Sequence, residues 1–263
     1  DSGLGRAGHG PSGPHRGEFK QAAQCKRSRK ALACRRHGQA APRPIVMTGL
    51  PPTRGNAVEL LVNGEAAFDS IFEGIRAAED YVIVHFFTIA DDAVGTRLAD
   101  ALKAKAAEGV ACYVLYDALG SKLKARYLDP LSEAGIQLCA FNDFAGLTKL
   151  YRMNFRNHRK LIIVDGKYAW IGGMNLKESY LKWRDTMVRF EGPVVQAFQK
   201  TFVEDWVWCA EEAVRGLNWE MEPASAARGT AHVASVPSGP ADPLPQYSQV
   251  TLDAIYRAES RIW

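Results

Sequence analysis

The most informative segment of this 263-residue chain reads His158-Arg159-Lys160-Leu161-Ile162-Ile163-Val164-Asp165, and Gly172-Gly173-Met174-Asn175 follows it closely. Its apolar part, Leu161 to Val164, is unbroken, which predicts a strand that is buried on both faces of a sheet. Asp165-Gly166 indicates a tight hairpin turn, so the segment from Tyr168 to Ile171 is expected to return as the neighbouring strand.

The polar end of this segment points to phosphate chemistry. Because side chains alternate along a strand with period 2, His158 and Lys160 are predicted to project from the same face. An imidazole can act as a nucleophile or as an acid–base group, and a neighbouring ammonium stabilises developing negative charge, so the pair suits attack on a phosphate ester. Gly172 and Gly173 are expected to end the return strand, where a backbone without side chains can approach a ligand closely.

The ordered motifs of the chain resemble those of a known family. His158-x-Lys160-x-x-x-x-Asp165 followed by Gly-Gly-x-Asn is similar to the HKD signature of the phospholipase D superfamily. Further motifs resemble, in order and spacing, those of bacterial cardiolipin synthases over roughly residues 57 to 263. These motifs are Asp117-x-x-Gly120-Ser121, Arg156-Asn157-His158-Arg159-Lys160, Trp183-Arg184-Asp185-Thr186 and Glu191-Gly192-Pro193. A lone His-x-Lys would be a weak signal, but several motifs in the same order make the resemblance specific.

The resemblance implies a two-step transfer of a phosphatidyl group from one phospholipid alcohol to another. His158, Lys160 and Asp165 correspond to the catalytic motif, with His158 as a nucleophile that forms a phosphohistidine intermediate. Lys160 and Asn175 would bind the non-bridging phosphate oxygens, whereas Asp165 is expected to orient or support the site and not to transfer protons. The rim of the site is expected to comprise Asn157, Gly172 and Gly173. No metal ion and no other cofactor is implied.

The chain has one such motif, whereas the implied mechanism uses two imidazoles. A histidine that is covalently engaged cannot also protonate one alcohol and deprotonate the next. The expected partner is therefore a second HKD half, either in the same polypeptide or in a homodimer.

The resemblance also implies a substrate and a location. The expected substrate is an anionic phospholipid similar to phosphatidylglycerol, met at a membrane surface. The expected location is cytoplasmic, peripheral on the inner face of a bacterial cell membrane, and nucleic acid is not expected as a partner. The alternatives are a homodimeric phosphodiesterase or nuclease of the same superfamily, and a catalytically inactive fragment.

The positive charge of the chain is unevenly distributed. Residues 1–46 hold ten Lys or Arg and two acidic residues, whereas the remainder holds 23 Lys or Arg and 27 acidic residues. A second basic cluster, with five Lys or Arg and no acidic residue, runs from Lys149 to Lys160. Such a cluster can attract an anionic substrate or a membrane surface, and a solvated loop can have the same composition. No apolar run approaches the ~18 residues of a spanning helix, so the chain is expected to be soluble or peripheral.

Composition and pattern divide the chain into segments. Residues 1–46 lack a hydrophobic period and are predicted to be a disordered basic N-terminal arm, which either touches anionic lipid or nucleic acid or has no function. Met47 is the expected natural start. Residues 47–215 are predicted to form the first phospholipase D-like (HKD) domain.

The remaining residues are predicted to hold a linker and a repeat. Residues 216–248 are rich in Pro, Ser and Gly, which is typical of a linker. Leu252 to Trp263 match Phe72 to Ile83 at an offset of 180. Residues 249–263 are therefore expected to begin a second HKD domain, within which the chain is truncated.

Strands and helices alternate in the first domain, which predicts an α/β fold. The expected architecture is a phospholipase D-like α/β/α sandwich, with a central mixed β-sheet flanked by helices. After a strand at Glu59–Val62 and an amphipathic helix through Phe68–Ala78, the predicted elements are a strand at Tyr81–Phe87, a helix at Val94–Ala107, a strand at Val110–Tyr116, a helix at 122–135 and a strand at Ile136–Phe141.

The cysteines indicate no metal site and no disulfide. Cys112 and Cys139 fall in predicted buried strands and are expected to be free thiols, which fits a reducing compartment. Cys25, Cys34 and His37 have no spacing typical of a zinc site, so no metal is expected there.

Two polar residues beside the predicted strands allow a site role and a simpler one. Asp117 to Ser121 ends a strand and can line the site, but Ser121 is more simply explained as the N-cap of the next helix. His85 lies where related synthases often carry Glu, and it is expected to be a hydrogen-bonded strand histidine.

Overall fold

The computed structural model describes residues 51–142, 156–239 and 246–262, and in these ranges the chain forms one sheet of eight strands. In chain order the strands are β1 (Thr53–Val62), β2 (Tyr81–Phe86), β3 (Ala111–Asp117), β4 (Gln137–Phe141), β5 (Lys160–Val164), β6 (Tyr168–Gly172), β7 (Thr186–Glu191) and β8 (Ala231–Val233). Their spatial order is β4-β3-β2-β5-β6-β7-β1-β8. The strands β2, β3 and β4 run parallel, and the other neighbouring pairs are antiparallel, so the sheet is mixed.

Helices cover both faces of this sheet. The helices are α1 (Gly64–Arg76), α2 (Ala93–Ala107), α3 (Ala118–Ser121), α4 (Ala125–Glu133), α5 (Val194–Ala210) and α6 (Gln246–Arg257), with a 3-10 helix at Glu178–Lys182. One apolar cluster packs α1, α2 and α4 against one face, and a second packs α5 against the other. The predicted α/β/α sandwich with a mixed central sheet is therefore confirmed.

The centre of the sheet follows from its most apolar segments. Every residue of β2 and β5 is buried, as the unbroken run in β5 predicted. Asp165 and Gly166 adopt left-handed φ angles of 53° and 65°, and the Lys167 N–H donates a hydrogen bond of 3.0 Å to the Val164 carbonyl across this tight turn. The hairpin prediction is thus confirmed, and Val164 pairs directly with Tyr168.

The segment predicted to be a linker adds to the sheet. The short strand β8 pairs with the outer side of β1, where Asn56 lies opposite Ala231. Nearby, Gln199 on α5 donates a hydrogen bond of 2.7 Å to the carbonyl of Asn218. Short edge strands need little apolar pattern, which is why a Pro-rich composition did not reveal this one. The boundaries of the predicted domains, including a second HKD half at 249–263, stay predictions, and the N-terminal arm lies outside the described residues.

One cysteine prediction is wrong. Cys139 in the middle of β4 forms a disulfide with Cys209 in the last turn of α5, across a Cα–Cα distance of 6.5 Å. The two residues are 70 positions apart, and only the passage of α5 over the sheet brings them together, so the sequence pattern could not show the pairing. Cys112 is a buried free thiol, as predicted. The three possible metal ligands of the N-terminal arm lie outside the described residues.

Candidate active site at the edge of the sheet

The His-Lys motif lies at one edge of the sheet, at the carboxyl ends of the parallel strands. Lys160, the first residue of β5, pairs with Phe86, the last residue of β2. Asp117 ends β3 at the same border, and Gly172 at the end of β6 pairs with Met187 near the start of β7. We call this border the site edge: the carboxyl ends of β2, β3, β4 and β6 with the starts of β5 and β7. Ligands of open α/β sheets bind at the carboxyl ends of parallel strands, so the position suits an active site.

His158 and Lys160 lie side by side at the site edge. The Lys160 Nζ atom is 3.0 Å from His158 Nε2 and donates a second hydrogen bond of 2.9 Å to the His158 carbonyl. Because β5 begins at Lys160, His158 precedes the strand, and strand alternation is not the reason for this proximity. Phe87 provides a platform beneath both groups, with its ring centroid 4.7 Å from the His158 ring and 5.3 Å from Lys160 Nζ.

The protonation states of the pair favour a nucleophilic imidazole. Burial lowers the pKa of Lys160 to about 8, and the negative charge of Asp185 opposes that shift. Burial, and then the positive charge of Lys160, also lower the pKa of His158, while Asp117 opposes the change. An ammonium only donates hydrogen bonds, so Nε2 must offer its lone pair to Lys160. At neutral pH the site therefore holds a neutral imidazole beside a cation.

A carboxylate from α5 holds the segment on both sides of His158. Asp205 Oδ2 accepts hydrogen bonds from Asn157 Nδ2 at 2.9 Å and from Arg159 Nε at 2.6 Å. We call these three residues the Asp205 clamp. Because Asn157 and Arg159 flank His158, the clamp holds the backbone on both sides of it. Cys209, one turn after Asp205 on α5, links the helix to β4 through its disulfide. Asn157, predicted to line the rim, thus contacts Asp205. Asp205 gives no signal in the sequence, because it is an ordinary acid in an amphipathic helix.

His85 lies behind the clamp and is completely buried. Neither ring nitrogen has a hydrogen-bond partner among the described residues, and Asp205 Oδ2 is 3.7 Å from Nε2. Burial lowers the pKa of His85 to about 4, although the charge of Asp205 acts in the opposite direction. The prediction of a hydrogen-bonded strand histidine is therefore wrong: Asp205 Oδ2 accepts from Asn157 and Arg159 and stays beyond hydrogen-bond distance of the ring.

Asn175 connects two loops beside the site. Its Oδ1 atom accepts a hydrogen bond of 3.1 Å from the backbone of Thr88, and its Nδ2 atom donates one of 2.9 Å to the Tyr180 hydroxyl. Thr88 follows Phe87, so Asn175 helps to hold the platform under His158. The amide has a second N–H, and phosphate binding by Asn175 stays a prediction.

The two glycines of the motif make room for protein atoms. A Cβ atom on Gly173 would lie 2.6 Å from Asp185 Oδ1, and one on Gly172 would lie 2.5 Å from the Thr186 carbonyl. The predicted reason for these glycines was the approach of a ligand. The structure shows instead that both are needed for close contact with the segment that begins β7, which brings Asp185 toward Lys160.

Asp165 lies at the opposite end of β5 from His158. It follows Lys160 by five positions along the strand, which corresponds to about 16 Å. The buried carboxylate accepts hydrogen bonds from the backbone N–H groups of Glu79, Asp80 and Tyr81 at 3.0, 2.9 and 2.9 Å. The structure therefore places Asp165 away from the other predicted catalytic residues. Its hydrogen bonds hold the segment that leads into β2, which suits the expected supporting role.

Ser121 is not a helix cap. Asp117 caps α3, because its Oδ1 atom accepts hydrogen bonds from Leu119 and Gly120. The Ser121 hydroxyl donates to the Phe87 carbonyl at 3.2 Å and accepts from the Ile89 N–H at 3.0 Å. The expectation that Ser121 caps the next helix is wrong, because Ser121 ends α3 and α4 begins only at Ala125.

Two further properties concern the described ranges alone. No group of three or more His, Cys, Asp or Glu side chains converges there as metal ligands would. No helix in these ranges combines the length and the apolar character needed to cross a membrane.

Comparison with known proteins places this site in a family context. Residues 71–206 match the family model described as "Cardiolipin synthase, PLD-like domain". The chain is 42% identical to cardiolipin synthase A of Pseudomonas fluorescens (strain SBW25) over 222 residues, which is 81% of this chain and 46% of that protein. It is 41% identical to cardiolipin synthase A of Pseudomonas syringae pv. syringae (strain B728a) over 244 residues, 89% of this chain and 50% of that protein. The chain thus spans about half the length of these curated relatives.

Solved structures show weaker likeness. The phospholipase D family member Nuc from Salmonella typhimurium aligns with 61% of this chain and 99% of its own, with 19% identity and a TM-score of 0.48. The phosphatidylserine synthase of Haemophilus influenzae Rd KW20 aligns with 61% of this chain and 39% of its own, with 17% identity and a TM-score of 0.48.

Proposed function

The chain belongs to the family of PLD-like domains of cardiolipin synthases, and from this premise we propose that it is one catalytic half of a phosphatidyltransferase whose nucleophile is His158. The observation that carries the proposal is the contact of 3.0 Å between Lys160 Nζ and His158 Nε2 at the site edge. A neutral imidazole and a cation at this distance can attack a phosphodiester and hold its oxygens at once.

The first step is attack on phosphorus. The Nε2 lone pair of His158 forms a bond to the phosphorus of an anionic phospholipid such as phosphatidylglycerol, and the bond from phosphorus to the glycerol oxygen breaks. The leaving oxygen takes the electron pair and receives a proton from a general acid. Lys160 moves one N–H from Nε2 to a non-bridging oxygen and stabilises the charge that develops there.

The second step restores the histidine. An acceptor alcohol loses its proton to the group that acted as the acid, and its oxygen attacks phosphorus while the bond to Nε2 breaks. His158 is part of the covalent intermediate during this step, so a second imidazole must hold the proton. The proposed source is a second HKD half, either in the same longer polypeptide or in a homodimer.

The last helix supports the idea of a second half. Phe72 and Ile75 on α1 are fully buried, whereas Leu252 and Ile255, which match them at the offset of 180, expose 52% and 44% of their surface on α6. The apolar residues of α6 thus match those of α1 in position but are exposed. This is expected if α6 begins a further domain whose sheet would cover them.

An apolar stripe beside the site edge supports docking of that half. Val58, Leu60 and Val62 expose 44%, 67% and 54% of their surface and alternate with the buried Leu61, so they project from the face that α5 covers elsewhere. The helix starts beside Asn56, to which the Val194 N–H donates, and ends at β4, which leaves the later part of β1 uncovered.

The stripe gives a direct prediction for self-association. If a second copy docks there, Leu60→Lys should shift the protein from dimer to monomer in sedimentation velocity, because the new charge would be buried in an apolar interface. Met221→Lys is the matched control, since Met221 is 65% exposed and lies outside the stripe. Equal dimer fractions for Leu60→Lys and the wild-type protein would rule out docking at the stripe.

Turnover tests the proposed activity. Purified protein is incubated with phosphatidylglycerol vesicles, and released glycerol and new phospholipid are measured by mass spectrometry. His158→Gln should lose several orders of magnitude in rate, because the covalent intermediate can no longer form. His232→Gln, at an exposed histidine of β8, is the control. Unchanged turnover in His158→Gln would refute the proposal, and cleavage of single-stranded DNA in place of lipid would favour the alternative phosphodiesterase.

A further inference from the structure

Two half-exposed tryptophans flank the candidate active site. Trp183 exposes 53% of its surface and Trp208 exposes 50%. Trp183 lies three residues before β7 begins, and Trp208 stacks on Phe141, the last residue of β4, with ring centroids 4.5 Å apart. Both side chains therefore belong to the site edge, on either side of His158.

The sheet order gives the spacing of this tryptophan pair. From β4 to β7 there are five strand intervals, which corresponds to about 24 Å at the usual strand spacing. His158 precedes β5, three intervals from β4 and two from β7. Along the sheet, His158 therefore lies between the two indoles.

Each indole is held by an aromatic neighbour. The Trp183 ring lies 4.5 Å from that of Tyr180, whose hydroxyl accepts a hydrogen bond from Asn175 beside the site. Trp208 rests on Phe141 with an angle of 29° between the rings. Such contacts fix the orientation of an exposed aromatic residue, so little conformational entropy is lost when it is buried by a partner.

The charges around Trp183 define the partner. Lys182 and Arg184 are exposed on either side of it, and Lys177 is exposed in the same loop. Indole rings favour the headgroup region of a bilayer, and each Lys or Arg near an anionic surface adds attraction. Exposed aromatic residues also occur elsewhere on this chain, such as Trp219, but Trp183 and Trp208 border the site.

We propose that Trp183 and Trp208, with Lys182 and Arg184, seat the site edge on an anionic phospholipid bilayer. The inference rests on the proposed function only for the identity of the substrate as a phospholipid. It adds that the lipid headgroup reaches His158 directly from the membrane plane, without full extraction of the lipid from the bilayer.

The experiment measures binding to vesicles by co-sedimentation, without turnover. Vesicles of phosphatidylglycerol and phosphatidylcholine are compared with vesicles of phosphatidylcholine alone. Trp183→Ala and Trp208→Ala should each reduce the partition coefficient on anionic vesicles by about tenfold or more, from the burial energy of an aromatic side chain. Removal of Lys182 and Arg184 by Gln substitution should reduce it by about fivefold per charge, and added salt should remove that difference.

A third tryptophan provides the matched control. Trp219 is 50% exposed, but its neighbour Asn218 is bound to Tyr81 at the start of β2, so it lies at the opposite edge of the sheet. The acidic Glu220 and Glu222 follow it. Trp219→Ala should bind anionic vesicles like the wild-type protein, and all variants should show the wild-type circular dichroism and unfolding midpoint.

The outcomes separate this inference from the proposed activity. Wild-type binding by His158→Gln, together with the loss in the Trp183 and Trp208 variants, supports the membrane contact whether or not phosphatidyl transfer is found. Undiminished binding by Trp183→Ala and Trp208→Ala would overturn it. Equal binding to both vesicle compositions, or an equal loss in Trp219→Ala, would overturn it as well.

Discussion

Acidification should destabilise the protein through His85, the histidine buried behind the Asp205 clamp. Burial lowers its pKa in the folded state from the ordinary value of 6.5 to about 4. As the pH falls below about 6.5, the unfolded chain binds a proton at this residue that the folded chain does not. Stability from the neutral ring is therefore complete above pH 6.5 and is lost progressively down to about pH 4.

The size of the effect follows from the interval between the two pKa values. Each pH unit of that interval contributes about 1.4 kcal/mol, so the free energy of unfolding should fall by about 2 kcal/mol between pH 6.5 and pH 5 and by about 3 kcal/mol in total. The nearby charges act in opposite directions, since Asp205 raises the pKa and Arg159 lowers it.

The assay compares pH profiles of variants. Urea unfolding of the wild-type protein, His85→Leu and His232→Leu is measured at pH 7.5, 6.5, 5.5 and 5.0. The carboxylates titrate in all three proteins, so only the difference in slope reports on His85. The profile of His85→Leu should be flatter by about 2 kcal/mol over this range, whereas His232→Leu, at an exposed histidine, should follow the wild-type protein. Parallel profiles for the wild-type protein and His85→Leu would refute the reasoning, because they would mean that the folded protein protonates His85 without cost.

Three further predictions concern the site and its support. Asp205→Asn should lower kcat by about 10- to 100-fold with little change in KM, because it loosens the segment around His158. Glu204→Gln, at an exposed acid on the same helix, should keep the wild-type kcat. Steady-state kinetics on phosphatidylglycerol measure both variants. Asp165→Ala should lower the free energy of unfolding by about 3–5 kcal/mol in urea titrations, because three backbone N–H groups lose a charged acceptor. Turnover per folded molecule should persist in this variant. A loss of turnover without a loss of stability would make Asp165 a catalytic residue. The rate should fall above pH 8 as Lys160, whose pKa is about 8, loses its proton; Lys160→Arg should lack this alkaline decline, and a decline of equal steepness in that variant would assign it to another group.

Local patterns predicted the parts of the fold that depend on neighbouring residues. The apolar run from Leu161 to Val164 and the Asp165-Gly166 turn gave the central hairpin, because burial and turn geometry act over a few residues. The helix predicted at Val94–Ala107 is present as α2, at Ala93–Ala107. The helix predicted at 122–135 is present in shortened form as α4, at Ala125–Glu133, and the separate short helix α3, which Asp117 caps, precedes it.

The features missed by the sequence analysis depend on contacts between distant residues. Asp205 lies 46 and 48 positions from the two residues that it holds, and Cys139 lies 70 positions from its partner. No periodicity encodes such pairs, because they arise only when α5 crosses the sheet. The motif identified His158 and Lys160 as neighbours, but His158 lies in the irregular segment before β5, so their contact does not follow from strand alternation.

The central claim is that His158 carries the phosphatidyl group during turnover. The most direct measurement incubates the protein with phosphatidylglycerol labelled with ³²P, denatures it rapidly at alkaline pH, and locates the protein-bound label by peptide mass spectrometry. We expect the label on the peptide that contains His158, and none on that peptide in His158→Gln. Label on a different residue, or turnover in the wild-type protein with no label on His158, would contradict the account.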